Sequence, residues 1–153
     1  MLAKLNFPGY NFKIIIEGDD GQSSKVFDIV RRRYVSLTPE EWVRQHLLHF
    51  LVTEKNVPKS LMGVEKRLLV NRLVKRTDLV IYDRNAKPIL IAECKAPSVK
   101  ITQEAFDQAA RYNLTLDVRY FILTNGLDTF YCTLDHDRKE YRFLPELPSY
   151  SLL

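Results

Sequence analysis

The 153-residue sequence holds only two cysteines, Cys94 and Cys132. Neither has a cysteine or histidine at zinc-ligand spacing, which argues against a structural zinc site. A chain of this length needs no disulfide, and free thiols suit a reducing cytosol. Long hydrophobic runs are missing as well. The first ten residues carry Lys4, Asn6 and Pro8 where a leader would be apolar, and no segment reaches the roughly 20 residues of a membrane-spanning helix. A cytoplasmic location with no membrane partner is the expectation. Internal repeats and low-complexity tracts are absent, and nothing resembles the glycine-rich phosphate-binding loop of an ATP-driven motor. The three histidines, His46, His49 and His136, show no ligand spacing with an acid and read as structural.

What is present is an ordinary globular balance, with 46% hydrophobic and 27% charged residues, enough for one domain over 1–153. The net charge of +4 and the pI of about 9.1 permit a nucleic-acid partner without demonstrating one.

The pattern along the chain predicts a mixed α/β domain. Residues 11–17 and 25–30 read as two strands around the turn Gly18-Asp19-Asp20-Gly21, an N-terminal hairpin within about 11–35. Thr38-Pro39-Glu40-Glu41 is a helix start: a capping hydroxyl, a proline in the first turn, then acids at the positive end of the dipole. Val43, Leu47, Phe50 and Leu51 continue it at helical spacing, up to Pro58. Strands are expected at 62–70, 78–82 and 89–92, the last two as continuous apolar runs that suit a sheet covered on both faces. A second helix over 102–116 carries Ala105, Ala109, Tyr112 and Leu116 on one face. A strand at 120–123 follows, then a hairpin around Asp135-His136-Asp137. The core is placed at about 38–135, and the proline-containing tail, about 145–153, is expected to be loose. The helix between the strands at 89–92 and 120–123 predicts a parallel pair there.

Three charged residues sit where charge is costly. Asp78 opens one apolar strand, and Glu93 and Lys95 close the next. A short turn joins the strands, so an antiparallel hairpin would bring Asp78 beside Glu93 and Lys95. Glu93 and Lys95 are two apart and share a strand face, while Cys94 points the other way and offers its backbone carbonyl. Two carboxylates and a carbonyl form a hard-oxygen set suited to Mg2+. Such an ion polarises a phosphate and acidifies a coordinated water, and a lysine can orient that water or meet the developing charge. The plainer reading is an exposed ion pair at a strand end, with Asp78 merely starting a strand.

Other residues carry weaker signals. Gln108 and Tyr112, four apart on one helix face, fit either a satisfied core polar group or a site. Glu40 shares the inward stripe of Val43 and Leu47 and is favoured over Glu41 as a third acid; both also simply answer the helix dipole. Lys75 and Arg76, directly before Asp78, have the best claim among the basic residues to a phosphate. Arg31, Arg32, Arg33, Lys66, Arg67 and Arg72 are further candidates. Trp42 reads as a packing residue.

Taken together, Lys75-Arg76-Thr77-Asp78-Leu79-Val80-Ile81, Pro88 to Pro97 with Glu93-Cys94-Lys95, Gln108 to Tyr112, and Leu123-Thr124-Asn125-Gly126 resemble the N-terminal nuclease domain of type I restriction enzyme R subunits. The chain resembles more closely the short free-standing bacterial proteins that carry this domain alone, and Leu37 to Gln45 shares the likeness. It spans about the first hairpin to the Asn125-Gly126 turn. The resemblance implies a restriction-endonuclease-like three-layer core: a mixed central sheet flanked by helices, here with an extra N-terminal β-hairpin. It implies a PD-(D/E)xK nuclease using Mg2+, for which Mn2+ can substitute, and acting on DNA. It places Asp78 at the first acid, with Thr77 where a proline is usual, Glu93 and Lys95 at the ExK positions, and Gln108 and Tyr112 at a QxxxY motif that organises the site or contacts DNA. Restriction-system or motor subunits are the implied partners; apart from the resemblance, edge strands of the N-terminal hairpin could pair with a second copy, giving a homodimer. The competing expectation is a non-catalytic or partner-dependent DNA-binding or assembly module that keeps the nuclease fold.

Overall fold

A computed structural model describes residues 2–19, 23–70 and 72–153, with Val70 described by its backbone alone. The chain begins with a three-stranded antiparallel sheet, β1 (Ile14–Glu17), β2 (Ser23–Asp28) and β3 (Arg33–Ser36), where the sequence led us to expect two strands. The third strand has no apolar alternation to announce it. It forms because β2 offers a second edge, pairing Val26 with Val35 and Phe27 with Tyr34. Of the predicted Gly18-to-Gly21 turn, Asp20 and Gly21 lie outside the described residues.

Helix α1 (Pro39–Glu54) starts as its sequence dictates. The Thr38 hydroxyl accepts from the Glu41 N–H at 3.0 Å, and a proline occupies the first turn. A six-stranded sheet follows in the order β4 (Met62–Val70), β5 (Leu73–Tyr82), β6 (Pro88–Cys94), β7 (Tyr120–Thr124), β8 (Thr129–Asp135), β9 (Glu140–Leu144). Helix α2 (Gln103–Leu114) crosses from β6 to β7, and these two strands are the parallel pair, as a helical crossover requires. All other neighbours run antiparallel.

Alternation along the central strands sorts their side chains into two layers. Leu79, Ile81, Leu90, Ala92, Cys94 and Ile122 meet Val43, Leu47, Leu48 and Leu51 of α1. On the other face Val80 and Ile91 pack with Leu116 and Val118, and Phe121 and Leu123 pack with Phe106 of α2. The result is the three-layer α/β core with its mixed sheet between helices.

Two expectations are corrected. Strand β5 begins at Leu73, not at Asp78, because β4 and β5 form a long hairpin paired from Met62↔Ile81 out to Val70↔Leu73. The tail is not loose. Leu147 is buried in the α1-side core, the Tyr150 N–H donates to the Lys55 carbonyl at 2.8 Å, and the Tyr150 hydroxyl donates to the Tyr82 carbonyl at 3.0 Å.

Candidate functional site

Strands β5 and β6 stay paired only as far as Leu79↔Ala92, while β5 continues alongside β4 for six residues more, to Leu73. The two strands therefore part at Asp78, which stands one step beyond that pair, opposite Glu93. At the parting the Cys94 N–H donates to Asp78 Oδ2 at 2.7 Å, so a side-chain carboxylate ends the ladder. Asp78 and Glu93 together line a hollow of about 60 Å³ between the splayed strands, with Lys75, Arg76 and Thr77. Thr77 is buried and its hydroxyl donates to the Lys66 carbonyl at 2.9 Å, fixing β5 to β4 just before the acid.

A wider cleft of about 390 Å³ opens from Glu93 and Lys95 towards α2. Its walls include Lys75, Lys100, Gln108 and Tyr112. Glu93 and Lys95 share a face as their spacing requires, with Lys95 Nζ 3.8 Å from Glu93 Oε1, both partly exposed. Gln108 and Tyr112 face this cleft and not the core. So does Ala105, whereas the buried side of α2 is made by Phe106 and Asn113. Of the two readings the sequence left for this helix face, core stripe or site wall, the structure has it lining the cleft. Cys94 points away into the α1-side core, and burial pushes its thiol well above the ordinary range.

Lys75 spans the cleft floor. Its Nζ donates to Asn113 Oδ1 at 2.7 Å and sits 4.5 Å from the centre of the Tyr112 ring. Burial lowers its pKa, against the opposing pull of Glu93 and Asp78. Arg76 is 68% exposed and pairs with Glu65 at 3.2 Å.

On the α1 side Glu40 and Glu41 exchange their expected roles. Glu41 is buried and accepts from Arg31 and, at 2.6 Å, from Arg44. Glu40 is the half-exposed one, on the rim of a separate cleft with Arg44 and Ala96. Val43, Leu47, Leu48 and Leu51 make the face of α1 that enters the core, and Glu40 stays outside it. Glu40 nonetheless lies within the field of the site: burial raises its pKa, Asp78 raises it further, and Arg44 and Lys95 oppose this.

The residue that sequence reasoning missed is Arg44. It is buried, donates to Asp78 Oδ1 at 3.2 Å, and has Glu40 at 3.5 Å and Glu65 at 3.7 Å. Its pairs with Glu40 and Glu41 could have been found at helical i,i+4 and i,i+3 spacing; its reach across to β5 has no local signal. Arg31 also departs from expectation. It is held by Asp28, Glu41 and Glu65 and is not free for a phosphate. The histidines lie elsewhere: His46 and His49 pack among Phe12, Tyr10 and Trp42, and His136 sits near Asp117.

Both oxygens of Asp78 accept one hydrogen bond, and each keeps a further lone pair. Among the described residues no group of three or more His, Cys, Asp and Glu side chains is placed to hold a metal by itself. A cation here would be held by Asp78, Glu93 and a main-chain carbonyl, and would draw its remaining oxygens from water or substrate, as Mg2+ commonly does.

By architecture this is an α/β domain whose six-stranded mixed sheet carries a charged cleft where two strands part, and the same fold occurs in a solved restriction-enzyme fragment. That fragment, assigned as an HsdR subunit of a type I restriction enzyme from Vibrio vulnificus YJ016, aligns with 74% of this chain at 18% identity and a TM-score of 0.50. The chain spans only 24% of that protein's length. The family described as "Type I restriction enzyme R protein N terminus (HSDR_N)" matches residues 39–148, and the chain belongs to that family. The match starts at α1, so it leaves out the N-terminal sheet and extends past the Asn125-Gly126 turn to the tail. No curated protein matches the chain. Among the described residues no helix is long and apolar enough to cross a membrane.

Proposed function

We propose that the protein is a PD-(D/E)xK nuclease that hydrolyses DNA phosphodiester bonds with Mg2+ or Mn2+, in the setting of a restriction system. The observation that carries this reading is the parting of β5 and β6, which puts Asp78 and Glu93 in one hollow and opens it into the cleft of Lys95, Gln108 and Tyr112. Family membership supports the restriction setting.

Asp78, Glu93 and the Cys94 carbonyl would hold the ion, which supplies Lewis-acid polarisation of the phosphate and a more acidic water. Lys95 places its ammonium beside Glu93, where it orients the attacking water and meets charge developing on the phosphate. Lys75 brings a second cation to the floor of the cleft, held in place by Asn113 and Tyr112. Gln108 and Tyr112 form the far wall, against which a nucleic-acid strand is positioned; Arg76 and Lys100 add phosphate contacts at the rim. Glu40 tunes the charge around Asp78.

A specific observation also favours a second reading, a DNA-binding module that cuts only with a partner. Arg44 already neutralises Asp78 from inside, so a partner that draws Arg44 away would be needed to free the acid.

Titration calorimetry with Mg2+ and Mn2+, with and without a DNA duplex, separates these readings. The wild type should bind an ion and Asp78→Ala should not. Lys95→Ala should keep ion binding and lose roughly a hundredfold or more in cleavage of labelled DNA. DNA binding with neither ion binding nor cleavage would select the partner-dependent module. Cleavage that survives Asp78→Ala would sink both.

A further inference from the structure

The N-terminal sheet lies outside the part of the chain that the family match covers, and its outer strand has a free edge. Among the described residues β1 pairs only with β2, in the order β1-β2-β3. The Phe27 N–H donates to the Lys13 carbonyl at 2.9 Å. Antiparallel hydrogen bonding alternates along a strand, so Ile15 and Glu17 also bond to β2, while the N–H and C=O of Ile14 and Ile16 point away from it. Ile14, Ile15 and Ile16 are 38%, 40% and 71% exposed. No proline or charged side chain interrupts them, although soluble proteins commonly blunt an open edge in that way. Ile14 and Ile16 also form one bank of an apolar groove of about 760 Å³, with Leu37, Trp42 and Pro97 on its other sides.

We propose that β1 is a self-association edge, on which a second copy of this chain adds its own β1 antiparallel about a two-fold axis. Lys13-Ile14-Ile15-Ile16-Glu17 has mirrored charge and hydrophobicity about Ile15. When Ile14 is set against Ile16 of the second copy, Ile15 opposes itself and Lys13 opposes Glu17 at both ends. The same register uses the outward groups of both isoleucines on each copy, giving four backbone hydrogen bonds. Registers centred on Ile14 or Ile16 set Lys13 or Glu17 against an isoleucine. Paired residues project from the same face of a sheet, so the second copy's Ile14 and Ile16 extend the apolar bank beside Trp42 and Pro97. Neither charge is strongly committed within one copy. Glu17 has an exposed contact with Lys25 at 3.2 Å, and Lys13 lies 5.5 Å from the Phe27 ring centre. The pairing is isologous, each copy giving the same patch to the other, and it does not depend on the chemistry of the cleft.

Sedimentation equilibrium of the full chain over a concentration series tests this. The wild type should be a dimer that dissociates on dilution, and Ile16→Lys should be a monomer with an unchanged circular dichroism spectrum. Lys13→Glu alone and Glu17→Lys alone set like charges against each other at both ends, and each should weaken the dimer roughly tenfold. An equimolar mixture of the two restores opposite charges at both ends of a mixed pair, and should dimerise like the wild type. A wild type that stays monomeric at every concentration overturns the proposal. So does a dimer indifferent to Ile16→Lys, or a mixture no tighter than its two components.

Discussion

Arg44 is a buried guanidinium in reach of four carboxylates: Glu41 at 2.6 Å, Asp78 at 3.2 Å, Glu40 at 3.5 Å and Glu65 at 3.7 Å. Burial works against its charge, but Glu41 and Asp78 outweigh burial and hold its pKa above the usual arginine range. Removing such a cation leaves buried carboxylates without compensation, a change that costs about 3–5 kcal/mol where one partner of a buried pair is deleted. Arg44→Met should therefore lower the unfolding free energy from urea titration by that order, and Arg44→Lys, which keeps the charge but not the fork, by less. A loss under about 1 kcal/mol would mean that water already reaches these acids. At this scale the sequence was informative about identity and weak about orientation. Asp78, Glu93 and Lys95 could be singled out because charge next to apolar strand residues is costly. Glu40 and Glu41 are adjacent, and which one is buried was decided by the distant Arg31 that, with Arg44, holds Glu41.

Elements were more legible where their ends carry chemistry. Thr38-Pro39 fixed the start of α1, and the continuous apolar runs of β5 and β6 fixed a sheet covered on both sides. β3 and the first half of β5 were not legible, since a strand can form on a neighbour's edge without any periodicity of its own. The Asn125-Gly126 turn after β7 shows what an element end can demand. Gly126 has φ of +85°, and a Cβ there would lie 2.8 Å from Leu5 Cδ2. Its carbonyl accepts from the Asn6 N–H at 2.7 Å, tying the N-terminal segment to the sheet. Gly126→Ala should destabilise by more than the roughly 1 kcal/mol of backbone strain alone, because Leu5 and Val43 must also shift. Thermal unfolding checks this, and restoring stability with Leu5→Ala in the same background would confirm the clash as the cause.

Across the whole molecule, the N-terminal segment is laid over α1 by rings. Phe12 lies 4.6 Å from His46 and 4.7 Å from His49, Tyr10 lies 5.5 Å from His49, and the His46 Nδ1 is 2.8 Å from the Trp42 carbonyl. Burial lowers the pKa of both histidines below 6.5, and for His49 the neighbouring His46 and Lys59 add to this while Asp28 opposes it. The unfolded chain takes up these protons first, so stability is full above pH 6.5 and declines as the pH falls below it. The double variant His46→Phe, His49→Phe should flatten that decline in urea titrations repeated over a pH series. An unchanged slope would assign the acid sensitivity to other groups. Asp28, buried yet held below the ordinary carboxylate range by hydrogen bonds from Arg31 and Gln45, is lost only at more acid pH, below its unfolded value of 3.8.

The sequence by itself determined the mixed α/β class, the parallel β6–β7 pair and the three charged residues Asp78, Glu93 and Lys95 beside apolar runs. Each follows from local rules: helix caps, two-residue alternation, a crossover helix between strands, and the cost of placing charge beside apolar runs. Tertiary structure alone decided that β5 and β6 part at Asp78, that Arg44 sits on the acid, that Lys75 is held by Asn113 and Tyr112, and that the tail docks through Leu147. Those contacts join residues 34, 38 and more positions apart, and which side chains meet across such distances depends on how strands splay and helices pack, not on any spacing within one segment.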